Sequence, residues 1–173
     1  MCNINQFLTP HFKLSEFTKS RTAEKHGIVN IPPAEAVENL RRLCEGTLEP
    51  LREKLGLPII VTSGYRTKAL NEILVHAARR SQHMAGCAAD FWVSGHTDST
   101  DNTDMGASHR DLLIKAFRLI ILEDAIDFDQ LILYPTFIHV SYVSKERNRH
   151  KLTKAFGNGK YCALTREQAL AIS

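Results

Sequence analysis

The hydrophobic pattern of the chain alternates between helical and strand-like segments. Apolar residues recur at roughly helical intervals after Pro32 and Pro33, which predicts a long helix that ends near Gly56. Residues 58–63 are few and rich in β-branched side chains, so they predict a strand. Residues 68–78 then predict a helix, which leaves 64–67 as a loop at the strand end.

The second half of the chain continues this mixture. Residues 88–93 are apolar and predict a buried strand, whereas 109–124 predict a helix. Two further strands are expected to form a hairpin across the Pro135-Thr136 turn. With a short N-terminal helix capped by Ser15, the pattern indicates an α+β fold.

The segment 94–104 interrupts the pattern, because it is dense in turn-forming residues and has almost no apolar side chains. It predicts a mobile loop beside the cleft. Asp98, Asp101 and Asp104 raise the alternative of a calcium loop, but the alternation and closing Glu of an EF-hand are absent, so a solvated loop is favoured. His96 is expected to be an ordinary loop residue.

Composition limits the classes of function. The 173 residues are 43% apolar, which suits a single domain over 1–173 with one core. A net charge of +3 is too small to indicate a nucleic-acid partner, and the basic stretch 145–151 is typical of a solvated helix face. The four cysteines have no C-x-x-C spacing, so neither a disulfide framework nor a cysteine zinc site is predicted.

The pattern contains no export signal and no apolar run long enough to cross a membrane. We therefore expect a protein that is cytoplasmic at synthesis and has no membrane partner. The oligomeric state stays open.

Three residues form the candidate chemistry. His83 and Asp90 lie seven positions apart around a glycine, and His139 lies later inside an apolar strand pattern. Two His and one Asp match the usual ligand number of a catalytic zinc site, which leaves the fourth position to water. Taken singly, each residue has an ordinary alternative, and together they allow a metal-free domain with a core histidine, a loop histidine and a capping aspartate.

Three blocks of sequence carry a resemblance to a known family. They are residues 61–67 followed by Leu70-Asn71, residues 81–90, and residues 128–132 leading into 137–142. In order and spacing they resemble the zinc D-Ala-D-Ala carboxypeptidases and related murein endopeptidases of peptidase family M15. The resemblance covers about residues 12–142 as a catalytic core. It leaves 143–173 as a basic C-terminal extension with a turn at 157–159 and a short helix begun by Thr165.

The resemblance implies a Hedgehog/DD-peptidase-like fold, with a small antiparallel sheet flanked by helices. It implies one Zn²⁺ bound by His83, Asp90 and His139, with Ser81 beside the metal as a substrate-binding residue. It also implies that Arg66 holds a substrate carbonyl or carboxylate, a role that suits the fixed donor fork of a guanidinium. The implied reaction is hydrolysis of peptide bonds in peptidoglycan stem peptides, by a carboxypeptidase or an endopeptidase.

The chain departs from the family at one point. Members place a Glu or Asp a few residues before the last His as the general base, and residues 131–138 contain no carboxylate. Three explanations stay open. In the first, Asp129 or Asp127 acts as the base; residue type favours Asp129, although a polar residue that opens a strand is also ordinary turn chemistry. In the second, Tyr134, a candidate substrate-binding residue, orients the water. In the third, the protein is a zinc-containing wall-binding or phage structural module that does not cleave.

The expected substrate lies in the cell wall, whereas the sequence shows no export signal. A phage or prophage lysis enzyme that acts at the wall after release would reconcile the two expectations.

Overall fold

A six-stranded sheet forms the centre of the protein. The computed structural model describes residues 3–75, 77–95 and 108–173. The strand order is β3-β4-β6-β5-β7-β8, and every pairing is antiparallel except the parallel pairing of β5 with β7. The strands are β3 Ile59–Ser63, β4 Ala88–Val93, β5 Gln130–Leu133, β6 Ile138–Ser141, β7 Lys151–Ala155 and β8 Tyr161–Leu164. The predicted α+β class and the predicted hairpin across Pro135-Thr136 are confirmed.

The N-terminal segment forms a small hairpin followed by two short helices. These elements are β1 Phe7–Thr9, β2 Phe12–Lys13, α1 Leu14–Thr18 and α2 Arg21–Lys25. The N-cap of α1 is Lys13, so the prediction of Ser15 as the cap was wrong. The Glu16 carboxylate accepts a hydrogen bond from the Lys13 backbone N–H at 2.7 Å, which starts the helix two residues earlier.

The predicted long helix ends at Gly56, as expected, but it is not α-helical throughout. Helix α3 spans Ala34–Leu43, a π-helical turn spans Cys44–Leu48, and α4 spans Glu49–Leu55. Pro50 has no N–H to donate to the Gly46 carbonyl, which would be its partner in a regular α-helix. That carbonyl accepts from the Asp127 backbone N–H at 2.9 Å instead, so the irregular turn is tied to the segment before β5.

Two further helices lie before and after β4 in the chain. Helix α5 spans only Lys68–Ile73, shorter than the predicted 68–78, because the chain turns back so that the Asn71 side chain donates to the Ala78 carbonyl. Helix α6 spans His109–Leu122 and begins with a capping box between Ser108 and Asp111. Its apolar residues join the core under the sheet.

The C-terminal extension belongs to the central sheet. Strands β7 and β8 extend it beyond β5, and α7, Arg166–Leu170, is capped by Thr165 as predicted. The stretch 145–151 is largely exposed, as predicted, but it is not a helix, because these residues form turns and then enter β7, where Leu152 packs into the core. Among the described residues, no helix is both long and apolar enough to cross a membrane.

Candidate metal centre

The sheet register brings two of the candidate ligands side by side. His139 on β6 lies opposite Asp90 on β4, and on its other side it lies opposite Ile132 on β5. Directly paired residues on neighbouring strands point to the same face of a sheet. The core covers the other face, through residues such as Leu131 and Val140, so Asp90 and His139 emerge on the face opposite to it.

His83 reaches this face from a 3-10 turn that spans Gln82–Ala85. The turn ends at Gly86, whose φ of 72° lies in the left-handed region. A Cβ at Gly86 would lie 2.3 Å from the Ala36 carbonyl oxygen, so the turn packs against α3 only because the residue is glycine. The Arg66 backbone N–H donates to the His83 carbonyl at 3.1 Å and fixes the turn from the other side.

The three side chains form a triangle of the size that a metal ion needs. His83 Nε2 lies 3.3 Å from His139 Nδ1 and 3.4 Å from Asp90 Oδ1, and His139 Nδ1 lies 2.8 Å from the same oxygen. Tetrahedral ligands about 2.0–2.1 Å from a zinc ion would be separated by roughly 3.3 Å. The donor types and their spacing therefore fit zinc.

The tautomer of His83 also suits metal binding. Its Nδ1 lies 2.6 Å from the Gly64 carbonyl oxygen, so Nδ1 carries the proton and the lone pair of Nε2 points toward Asp90 and His139. The Gly64 carbonyl reaches His83 because Gly64 itself packs closely against α1. A Cβ at Gly64 would lie 2.6 Å from the Phe17 Cα atom.

The electrostatics keep the ligands in their metal-binding forms. Burial raises the pKa of Asp90, but its contacts with the two imidazoles outweigh this effect, so the pKa lies far below its usual value. Burial lowers the pKa of His83, which favours the neutral imidazole. A carboxylate and a neutral imidazole are the forms that bind a metal ion.

Arg66 lies beside this cluster. Its Nη2 donates to Asp90 Oδ2 at 2.8 Å, and its Nε and Nη2 both donate to Ser63 Oγ at 3.0 and 2.9 Å. The two oxygens of Asp90 are thus divided, with Oδ1 facing the imidazoles and Oδ2 facing the guanidinium. The structure therefore places the predicted cation Arg66 in direct contact with the Asp90 carboxylate.

The other predicted substrate-binding residues lie at two edges of the cluster. Ser81 is the N-cap of the turn that carries His83, and its carbonyl accepts from the Met84 N–H. Tyr134 follows β5 two residues after Ile132, so it faces the side that carries His139. Burial, a hydrogen bond with Tyr161 and the negative charge of Asp90 raise the Tyr134 pKa, so its hydroxyl is a neutral donor.

The structure does not bring Asp129 into the cluster, so it does not support the assignment of Asp129 as a catalytic residue. Asp129 precedes Ile132 by three residues, about 10 Å along the strand direction. Its carboxylate is 1% exposed and accepts hydrogen bonds from Arg149 and Gln82. Burial raises its pKa, but these hydrogen bonds lower it to about 2, which makes the group a poor proton acceptor near neutral pH.

Asp127, the other candidate base, is also engaged elsewhere. Its carboxylate accepts from Asn148 Nδ2 at 2.8 Å and lies 2.7 Å from His150 Nε2. Within the described ranges, the metal-binding cluster contains one carboxylate, that of Asp90. The predictions for His96 and for the acidic loop fall on 96–107, outside the described residues.

The family model for peptidase M15 matches residues 10–113, more than half of the chain. The chain belongs to the peptidase M15 family. The matched range contains Arg66, His83 and Asp90 and ends before His139, which joins them through the β4-β6 pairing. No curated protein matches the chain.

Several residues around the site have no local signal in the sequence. Ser63 and the Gly64 carbonyl belong to a recognised block, but their contacts with Arg66 and His83 depend on the folded loop. Tyr161 reaches Tyr134 only because β8 joins the sheet through β7. Such contacts follow from the register of distant strands, which periodicity along the chain does not reveal.

Proposed function

We propose that this M15 peptidase domain binds one zinc ion and hydrolyses peptide bonds in peptidoglycan stem peptides. The observation that carries the proposal is the triangle of His83, Asp90 and His139, whose nearest nitrogen and oxygen atoms lie 2.8–3.4 Å apart. Arg66 contacts the second oxygen of Asp90, Oδ2. A zinc ion bound there would polarise a substrate carbonyl and lower the pKa of a bound water.

The remaining residues position the substrate. Ser63 and Asp90 hold Arg66 at the edge of the cluster through its Nε and Nη2, so its Nη1 is the group that can donate to a peptide carboxylate or carbonyl without first being ordered. Tyr134 offers a neutral hydroxyl from the strand next to His139, where it can donate to a carbonyl oxygen of the substrate. Ser81 lies at the opposite edge, at the start of the His83 turn.

The general base has no assigned residue in this proposal. One observation favours a second candidate, a zinc-containing wall-binding or phage structural module without turnover. In the part of the chain that the structure describes, the cluster has no carboxylate besides Asp90, and both aspartates near β5 are bound to other residues. The two candidates share the metal site and the peptide partner and differ only in cleavage.

The test is release of D-Ala or of new amino termini from purified peptidoglycan by the zinc-loaded protein, with zinc content measured on the same samples. His83→Ala is the control that removes the metal. Zinc-dependent release would support the hydrolase. Full zinc occupancy without release would favour the binding module, and absence of stoichiometric zinc in the unmodified protein would overturn both.

A further inference from the structure

A second row of side chains runs beside the metal-binding row on the same face of the sheet. Ile132 pairs with Thr153 on β7, and Thr153 pairs with Ala163 on β8, so these residues continue the row of His139. Tyr161 precedes Ala163 by two residues, and therefore it emerges on this face one step along the strand. Tyr134 takes the corresponding place beyond Ile132, which puts both tyrosines about 7 Å from the first row.

The two tyrosines contact each other. Their hydroxyl oxygens lie 3.3 Å apart, and their rings meet edge to face with centroids 6.2 Å apart. Tyr134 is also stacked on Phe137, with centroids 4.2 Å apart. Tyr134 is thus held in place, while Tyr161 projects further and keeps 57% of its surface exposed.

The hydroxyl pair has one proton to offer. When one hydroxyl donates to the other, the second hydroxyl keeps its own proton free for another acceptor. A peptide carbonyl oxygen is an acceptor of this kind, and the exposed ring beside it suits an aliphatic side chain. Arg66, on the opposite side of the metal-binding row, is the cation that suits a carboxylate.

We propose that Tyr161 contacts the substrate, and that the C-terminal hairpin β7-β8 completes the peptide-binding cleft. This inference rests on the proposed function and names the part of the substrate that the hairpin recognises, a backbone carbonyl and the aliphatic part of a side chain at a distance from the carboxylate at Arg66. Four strand spacings separate β4 from β8, about 19 Å between backbones. A dipeptide extends about 7 Å, so a peptide whose carboxylate is held at Arg66, beside β4, has to be longer than a dipeptide to reach Tyr161 on β8.

The experiment uses fluorine NMR of zinc-loaded protein labelled with 3-fluorotyrosine. The chain has four tyrosines, so four signals can be assigned with single Tyr→Phe variants. Titration with the stem pentapeptide L-Ala-γ-D-Glu-L-Lys-D-Ala-D-Ala should shift the signals of Tyr134 and Tyr161 and leave that of the core residue Tyr142 in place. Titration with D-Ala-D-Ala should leave the Tyr161 signal in place.

Two variants and a matched control give the size of the contact. Tyr161→Ala should raise the Kd for the pentapeptide about tenfold, and Tyr161→Phe, which loses only the hydroxyl, about threefold. Phe156→Ala is the control, because Phe156 belongs to the same hairpin and is 51% exposed. It follows Ala155 and therefore points away from the face of Tyr161, so its variant should bind the pentapeptide as the unmodified protein does.

The outcomes separate this inference from the proposed function. Pentapeptide binding that shifts Tyr134, leaves Tyr161 unshifted and has the same Kd in Tyr161→Ala would overturn the role of Tyr161 alone. If the pentapeptide does not bind at all, the proposed peptidoglycan substrate is overturned, and the role of Tyr161 with it.

Discussion

Arg149 holds both carboxylate oxygens of Asp129. Its Nε lies 2.8 Å from Oδ1 and its Nη2 lies 2.6 Å from Oδ2, a two-pronged geometry that a lysine does not provide. The same Oδ2 accepts from Gln82 Nε2 at 2.8 Å, and Gln82 is the neighbour of His83. The C-terminal extension is therefore connected to the metal-binding turn through one buried carboxylate.

Asp129→Asn should lower the free energy of unfolding by about 1.5–3 kcal/mol near neutral pH, because charge-assisted hydrogen bonds to a buried group are lost. The pKa of Asp129 is about 2 in the folded protein, below its unfolded value. The stabilisation is thus complete above the unfolded pKa, about 3.9, and is lost as the pH falls toward 2. Denaturant unfolding between pH 7 and pH 2 measures both effects.

Asp124→Asn is the control for this experiment, since Asp124 is exposed. It should keep the pH dependence of the unmodified protein, whereas Asp129→Asn should flatten it over this interval. Equal slopes for Asp129→Asn and the unmodified protein would show that the ion pair does not stabilise the fold.

The cluster of His83, Asp90 and His139 was predictable because local sequence encodes its members. His83 and Asp90 share one short block around Gly86, and His139 lies in a regular apolar strand, so a pattern and a resemblance are enough to find them. The Asp129 pairing was not predictable, because Arg149 is 20 residues away and meets it only where β7 joins β5 in parallel. Arg149 lies in a basic stretch that is largely exposed, so the sequence does not indicate which of its side chains binds a buried carboxylate.

Gly86→Ala should destabilise the protein by several kcal/mol. The residue would have to adopt a left-handed φ of 72°, which costs about 1–2 kcal/mol, and its Cβ would clash with the Ala36 carbonyl oxygen. Gly27→Ala is the matched control, because Gly27 has a φ of 63° but no atom within 4 Å of an added Cβ. Chemical unfolding of the two variants isolates the clash, and equal losses would contradict the close packing of the His83 turn on α3.

His83→Ala and His139→Ala should each abolish stoichiometric zinc. Each removes one of three protein ligands, and the metal-dependent gain in Tm should disappear with it because binding energy contributes to folding. His26→Ala is the control, since His26 is an exposed histidine at the end of α2. Elemental analysis after dialysis measures the zinc, and one zinc per chain in either ligand variant would remove that residue from the site.

The π-helical turn shows how a correct prediction of an element can miss its form. Periodicity correctly gave a helix that ends at Gly56, and Pro50 was visible in the sequence. The helical pattern continues past the proline because the Gly46 carbonyl accepts a hydrogen bond from the Asp127 N–H, 81 residues away. This hydrogen bond depends on the position of a distant segment, as does the contact between Tyr161 and Tyr134.

Arg66→Ala should retain zinc and reduce turnover. Asp90 keeps its contacts with both imidazoles, so the proposed metal ligands stay in place, but the guanidinium proposed to orient the substrate is gone. Loss of charge-assisted hydrogen bonds to a substrate carboxylate predicts a decrease in kcat/KM of about 10- to 100-fold. Arg66→Lys keeps the charge without the fork and should recover only part of this loss.

Lys68→Ala, a change of a nearby exposed cation, should leave kcat/KM unchanged. If Arg66→Ala hydrolyses a stem peptide as fast as the unmodified protein with the same zinc content, Arg66 has no part in binding the substrate.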